Sequence, residues 1–390
     1  MAVSFDTAFL FLATLLTALY AAALFVLRSG LRKLAADQPR TQDSPSGSHL
    51  PVLSIVISAR NEENNLPRLL PCLFAQDYPH EKLEIVIVDD RSEDSSWEFL
   101  QRAAGEHGNL KILLVTDLLP DFAPKKRALE LAIRSARGEI ILLTDADCTP
   151  PQTWARAMVG WYEDGVAGVV GYSPYRFERG QQGLIEGMLA LDYFSIFAVA
   201  AASAGLGGAV TASGTNLSYR KQTFLDVGGF ESIKQWISGD DDLFVHEVAR
   251  RKMGKFVFAL DPMAYVPAAA PTSWRQFWNQ RIRYASKSLQ YGPSMTLGLL
   301  AFYLLNLGLI VGIGLSVRDP SLWLSIAALW VAKAMFEMTF LSNAAGLFHE
   351  ERLLSHFIPT ALLHPLYISL FGLLGLFVNF RWKNITSGSR

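Results

Sequence analysis

Two cysteines, Cys72 and Cys148, are all that the 390 residues contain. That excludes a disulfide framework and suits a reducing compartment. Charge is scarce as well: Asp, Glu, Lys and Arg make up 18% of the chain and leave a formal net charge of -1. No bulk basic field is present to hold a nucleic acid. Several binding signatures are also missing. No GxGxxG follows the first central apolar run, no GxxxxGK[ST] occurs, and there is neither HExxH nor a Cys/His cluster. Dinucleotide oxidoreductases, P-loop proteins and zinc enzymes therefore lack their usual signals here.

What the chain has in excess is apolar residues, 51% of the total, gathered towards its two ends. Residues 8–27 are uncharged and reach the roughly 20 residues that a spanning helix needs. Without a basic front end or a small-residue cleavage site, they read as a membrane anchor over 1–28. Arg28, Arg32 and Lys33 follow, against Asp6 alone before them, which puts the following domain on the cytoplasmic side. Residues 296–317, 322–341 and 357–380 predict C-terminal transmembrane helices within 293–381, ahead of a tail at 382–390. Lys333 and Glu337 interrupt the middle span four residues apart, a spacing that shares one helix face and lets them neutralise each other. Three spans from the cytoplasm would carry the tail outside, whereas Arg381 and Lys383 favour the inside. A re-entrant or interfacial segment would reconcile the two counts. Residues 184–205 are apolar too, but Glu186 and Asp192 break them, and a buried or interfacial helix is expected there.

Residues 29–50 read as a linker, polar and Pro/Ser-bearing from 37 onwards. From 51 to 267 short apolar runs (LSIVIS, LEIVIVDD, KILLV, EIILLTD, GVAGVVGY) alternate with amphipathic stretches from about 62, over 94–104, 124–136 and 151–162. This predicts an α/β domain with a doubly wound, mostly parallel sheet covered on both faces. Such sheets bind ligands at the carboxyl ends of their strands, which singles out Arg60, Glu62, Glu63, Asp89, Asp90, Asp145 and Asp147. Asp89 and Asp90 can accept hydrogen bonds from a base N–H or from ribose hydroxyls, although DDRSEDSS would equally well begin a helix. Asp145 and Asp147 are two carboxylates at i and i+2, expected to close a buried strand. They cannot both stay ionised cheaply without a cation. Mg²⁺ or Mn²⁺, with its shell completed by phosphate oxygens and water, suits that pattern. Asp240, Asp241 and Asp242 begin an amphipathic stretch, where a helix dipole stabilises negative charge and mutual repulsion favours one of them as a proton acceptor. His246, further along that stretch, reads as a structural residue.

Taken in order, these strings resemble the membrane-anchored family 2 glycosyltransferases of GT-A (Rossmann-like) fold, over about residues 53–287. SIVISARNEENNL is similar to the family's opening strand and turn, which implies nucleoside contacts from Arg60 and Glu62. EIVIVDDRSEDSS resembles its uridine-binding stretch, carried over to Asp89 and Asp90. KKRALELA resembles a lysine-bearing helix start near the base or phosphates and places Lys125. LLTDADCTP resembles the metal motif, with Asp145 and Asp147 as ligands. ASGTNLSYRKQTFLDVGGF resembles the acceptor-side segment, with Gly214, Asn216 and Arg220 at matching places. SGDDDLFVHEV lies where the family carries a Glu-Asp pair whose aspartate is the catalytic base. Aligned on Leu243, that base is Asp240 and Gly239 replaces the glutamate; shifted by one, it is Asp241. QRIRY resembles a QxxRW motif with tyrosine for tryptophan, implying Arg283 at the diphosphate and Gln280 and Tyr284 in the acceptor channel. The surrounding stretch, 268–292, also reads as an interfacial helix, with Trp274, Phe277, Trp278 and Tyr284 at the membrane boundary and Arg275, Arg281, Arg283 and Lys287 facing lipid headgroups.

The resemblance implies an inverting, metal-dependent enzyme of a bacterial inner membrane with its catalytic domain in the cytoplasm. It would move a hexose or N-acetylhexosamine from a UDP-sugar to a membrane-associated lipid or glycan, so its partners are a nucleotide-sugar donor, that acceptor and membrane lipids. A processive polysaccharide synthase is the alternative, for which the spans counted above make a thin channel wall. A non-catalytic sugar-nucleotide-binding membrane protein is a further alternative, disfavoured because a binding module has no use for a base.

Overall fold

The computed structural model describes residues 5–37, 50–117, 119, 121–177, 183–382 and 385–386. Most of the expected linker, Lys383 and the end of the tail lie outside the described residues. The chain opens with helix α1 (Phe5–Ala36). The sheet domain then alternates β1 (Leu53–Ala59), α2 (Leu66–Phe74), β2 (Leu83–Asp89), α3 (Ser96–Glu106), β3 (Leu110–Leu114), α4 (Pro124–Ser135), β4 (Ile140–Leu143) and α5 (Trp154–Val159). Next come β5 (Val166–Gly171), β6 (Tyr175–Arg176), α6 (Leu184–Gly205), β7 (Leu217–Arg220), α7 (Lys221–Asp226), α8 (Asp242–Arg250), β8 (Lys255–Ala259) and β9 (Ala268–Ala269). The C-terminal part holds α9 (Trp274–Ala285), α10 (Pro293–Arg318), α11 (Trp323–Phe348), α12 (Phe357–Phe377) and the short pair β10 (Arg381–Trp382) and β11 (Ile385–Thr386).

The chain divides into two compact units. One is formed by residues 32–180 and 196–270, the other by residues 1–31, 181–195 and 271–390. The first is built on a seven-stranded sheet in the order β3-β2-β1-β4-β7-β5-β8. β1 runs parallel to both β2 and β4, and β7 runs antiparallel to β4 and β5. The expected mostly parallel, doubly wound sheet is therefore present, with β7 as the reversed strand. Side chains alternate across it. Ile55 and Ile57 of β1 point into a core with Leu66, Leu69 and Leu73 of α2, Leu100 of α3 and Trp154 of α5. Helix α4 packs on β1 and β2 yet contributes nothing to that core, so it covers the opposite face. Burying each of these large apolar side chains is worth about 1.5–3 kcal/mol. The chain leaves β1 for β2 on one side and returns to β4 on the other, so a crevice opens at the carboxyl end of β1.

Several boundaries differ from the sequence expectation, the first being α1, which continues as one helix to Ala36 through residues 29–36 of the expected linker. The helix expected from about 62 begins at Leu66, because Asn61 adopts a left-handed φ of 54° and the N–H groups of Asn65 and Leu66 both donate to the Glu62 carbonyl. The helix expected over 151–162 is only the six residues of α5. Strand β4 ends at Leu143, so Asp145 and Asp147 stand on the turn beyond the strand, partly exposed instead of closing it.

In the helical unit, α10, α11 and α12 cover the expected C-terminal spans. Among the described residues five helical segments, in α1, α6, α10, 320–348 and 351–377, are long and apolar enough to cross a membrane. Half of the most apolar stretch of α6, read from sequence as a buried or interfacial helix, is buried. Lys333 Nζ lies 2.7 Å from Glu337 Oε1, the expected neutralised pair, and Tyr20 of α1 donates to the same oxygen at 2.8 Å. Arg281 departs from expectation. It is buried, with Nη1 2.8 Å from Asp192 Oδ2 and its guanidinium over the rings of Phe277, Tyr284 and Tyr367, so it does not face headgroups. Lys287 is buried as well. Trp274, by contrast, is 66% exposed.

Candidate active site

The carboxyl ends of β1, β2 and β4 carry or are followed by Arg60 and Glu62, Asp89 and Asp90, and Asp145 and Asp147 respectively, at one end of the sheet. Asp89 closes β2 opposite Ala59 and is fully buried. Its Oδ1 accepts from the Ser92 N–H at 2.8 Å, while its buried Oδ2 has no hydrogen-bond partner among the described residues. An acceptor left in that state is costly unless a ligand donates to it. Asp90 is gripped by the Arg91 guanidinium, whose Nε and Nη2 donate to Oδ1 at 2.9 and 2.7 Å, and Arg60 Nη1 stands 3.9 Å from its other oxygen. Glu62 shapes the turn after β1: its N–H donates to Ser96 Oγ at 2.8 Å and its carboxylate accepts from Asn65 Nδ2 at 2.6 Å.

The centre of the site is Lys125, at the first turn of α4. Its Nζ lies 3.0 Å from Asp145 Oδ1 and 2.9 Å from Asp240 Oδ2. Burial by itself would lower the pKa of this ammonium. The charges of Asp145, Asp240 and Asp241 outweigh burial and hold it above the usual lysine range. The three consecutive aspartates have separate tasks. Asp241 is the N-cap of α8, accepting from the Asp242 N–H at 2.8 Å on Oδ1 and from the Gly214 N–H at 3.1 Å on Oδ2. Asp242 accepts from the Leu243 N–H. Asp240 turns its carboxylate to Lys125. Gly239 turns the chain into Asp240 with a φ of +90°, and a Cβ there would meet the Leu243 side chain.

Two acceptor-side candidates turn out to be structural. Asn216 is fully buried, with Oδ1 accepting from Trp154 Nε1 at 2.9 Å and Nδ2 donating to the carbonyls of Tyr172 and Ala264 at 3.0 and 2.8 Å. Its amide is engaged on both sides, so it ties β7 to α5 and does not meet an acceptor. Arg220 donates to the Val166 carbonyl at 2.9 Å and lies over the Tyr162 ring, holding β5. Gly214, by contrast, borders the Lys125–Asp240 pair, since a Cβ there would lie 3.4 Å from Asp240 Oδ2. Gln280, Arg283 and Tyr284 lie on α9 in the helical unit, with the Arg283 guanidinium 5.3 Å from the Tyr284 ring centroid. His246 bonds the Val210 carbonyl through Nε2 at 2.8 Å, the structural task expected of it.

The sequence reading passed over Lys126. It is fully buried and donates to the carbonyls of Trp236 and Ser238 at 2.5 and 2.7 Å. A second lysine at a helix start gives no signal that it turns inward.

Asp145 and Asp147 fit a hard divalent cation. They are oxygen donors on one short turn, both partly exposed. Among the described residues no group of three or more His, Cys, Asp or Glu is placed to hold an ion. The chain would therefore supply two carboxylates and leave the remaining positions to phosphate oxygens and water.

Residues 54–227 match the family model described as Glycosyl transferase family 2. The chain is similar to glycosyltransferase AglE of Haloferax volcanii, at 31% identity over 107 residues, 27% of this chain and 34% of that protein. It is similar to the beta-monoglucosyldiacylglycerol synthase of Trichormus variabilis, at 26% identity over 253 residues, 65% of this chain and 52% of that protein. The chain thus spans about a third to about half the length of these relatives. Among solved structures, the mannosyltransferase PcManGT from Pyrobaculum calidifontis in complex with GDP-Man and Mn²⁺ matches with a TM-score of 0.59 and 22% identity, over 95% of this chain and 99% of that one. That likeness is one of fold.

Proposed function

We propose, from the match of residues 54–227 to the glycosyl transferase family 2 model, that the chain is an inverting, metal-dependent glycosyltransferase that moves a sugar from a nucleotide-sugar to a membrane-associated lipid or glycan. The observation that carries this reading is the bridge Asp145–Lys125–Asp240, which sets a candidate metal ligand and a candidate base on either side of one ammonium. Inversion needs a single displacement at the anomeric carbon, and so one base on the acceptor side. Asp240 takes the proton from the acceptor hydroxyl, while Lys125 provides a positive charge beside both the base and the diphosphate. Asp89 Oδ2 accepts an N–H of the nucleobase, which satisfies its buried lone pairs. Bound Mg²⁺ or Mn²⁺, held by Asp145 and Asp147, would neutralise the charge developing on the departing diphosphate.

The acceptor is assigned to the membrane because helices of spanning length lie on both sides of the sheet domain in sequence. The relative from Trichormus variabilis, a synthase of a glycolipid by its name, agrees with a lipid acceptor. Arg28, Arg32 and Lys33, towards the C-terminal end of α1, support a cytoplasmic sheet domain in a bacterial inner membrane. The test is to incubate the purified chain, Mn²⁺ and a lipid extract with a panel of radiolabelled UDP- and GDP-sugars, then separate the products. One donor should label one lipid-soluble product. A ladder of polymer would point to processive synthesis, and an unlabelled extract with every donor would overturn the reading.

A further inference from the structure

Helix α4 carries two adjacent lysines that do different things. Lys125 reaches the carboxylates of the candidate site, whereas Lys126 is wholly buried and donates to the carbonyls of Trp236 and Ser238. A buried ammonium is costly unless every proton finds an oxygen, and apolar residues would fill the same space more cheaply. Its placement therefore calls for a task that an apolar side chain could not perform.

The same helix touches the segment before Asp240 at two further places. One turn along from Lys126, Glu130 accepts from the Phe230 N–H at 2.9 Å, beside Gly229, where φ is +64° and a Cβ would meet the Glu130 carboxylate. At its N-terminus the Ala123 N–H donates to the Lys234 carbonyl at 2.7 Å. Residues 229–238 are thus laid along α4 and bonded near both ends and in the middle. The chain then turns at Gly239 and delivers Asp240 to Lys125 within the next residue.

We propose that Lys126 is a positioning residue, which clamps the 236–238 backbone to α4 and so fixes the distance between Asp240 and the Asp145 turn. Both lysines share one helix turn, so the carboxylates and the loop are referenced to the same rigid element. The clamp explains why Asp240 stays at the Lys125 ammonium although it follows an irregular loop. The catalytic part of this proposal rests on the transferase reading above; the clamp itself does not.

The experiment measures hydrogen exchange and kinetics on the full chain in detergent, for the wild type, Lys126→Met and Glu130→Gln. In Lys126→Met, amides 236–242 are expected to exchange at least about tenfold faster, with α8 beyond 244 unchanged. Its kcat should fall by about 10²-fold, the scale of a roughly 1 Å misplacement, while the donor KM and the binding of UDP with Mn²⁺ stay within about twofold. Glu130→Gln, which loosens the far end of the segment, should speed exchange at 229–232 and leave kcat nearly unchanged. Wild-type exchange at 236–242 in Lys126→Met overturns the clamp. Faster exchange with unchanged kcat overturns its role in positioning Asp240. If Lys126→Met does not fold, the wild type decides: amides 240–242 must open together with 127–133, and far weaker protection contradicts the proposal. A wild-type chain that transfers no sugar removes the transferase reading, and the exchange data then judge the clamp alone.

Discussion

Asp240 Oδ2 lies 2.9 Å from Lys125 Nζ. Residues 115 positions apart in sequence thereby form one ion pair at the mouth of the sheet, and the same ammonium reaches Asp145. Lys125→Met should lower kcat by about 10²-fold or more, the usual cost of removing one preorganised charge from such a site. The stability effect has a defined pH dependence. The pKa of Lys125 is raised on folding, so the stability it contributes is fully present below its unfolded value of about 10.4 and is lost only as pH rises through the higher folded value. Thermal melts in detergent should therefore show the same loss for Lys125→Met at pH 6 and at pH 9. A loss that changes across that range contradicts the assignment.

Asp147→Ala removes one of two candidate ligands on a turn that offers few others. Transfer should fall to background in that variant, and chelation with EDTA should do the same to the native chain, with Mn²⁺ or Mg²⁺ restoring it. Calorimetric titration of Mn²⁺ in the presence of UDP supplies a readout without turnover, and binding should be lost in Asp147→Ala. Full activity after thorough chelation would remove the metal from the account.

Asn216→Ala separates a structural role from an acceptor contact. It strands the Trp154 indole N–H and withdraws the donor from two buried carbonyls. Each such orphaned group costs about 1–3 kcal/mol. Lower expression and a lower melting temperature are expected, with the acceptor KM of the folded fraction unchanged. A raised acceptor KM at native stability would return Asn216 to the acceptor channel.

Most of the scaffold was legible because local pattern decides it. Seven consecutive buried residues in β2 and the four apolar runs beside it could only suit a sheet covered on both faces. Strand β7 was missed because LSYR is four residues long and takes its place through antiparallel pairing with β4, some 75 residues earlier, which no local signal encodes. The placement was legible in part: Asp89 closes β2, Asp145 stands two residues beyond the end of β4, and Asp240 lies just before α8. What each neighbour does was not legible. Asn216 and Arg220 look like ligand contacts in one dimension, yet spend their donors on buried carbonyls. Arg281 looks like a surface charge, yet pairs with Asp192, which had looked like a mere interruption in an apolar run. Partners distant in sequence set these roles.

Asp240 and Asp241 give the most direct test of the central claim, because sequence alignment leaves either as the base and the structure assigns them different work. Single-turnover transfer and UDP binding are to be measured for Asp240→Asn and Asp241→Asn. Asp240→Asn should bind UDP with Mn²⁺ like the wild type and lose about 10²-fold or more in rate, the scale of general-base removal. Asp241→Asn keeps a capping oxygen for the Asp242 N–H, so it should retain most of its rate with a small fall in melting temperature. Normal turnover in Asp240→Asn, with binding intact, would contradict the account.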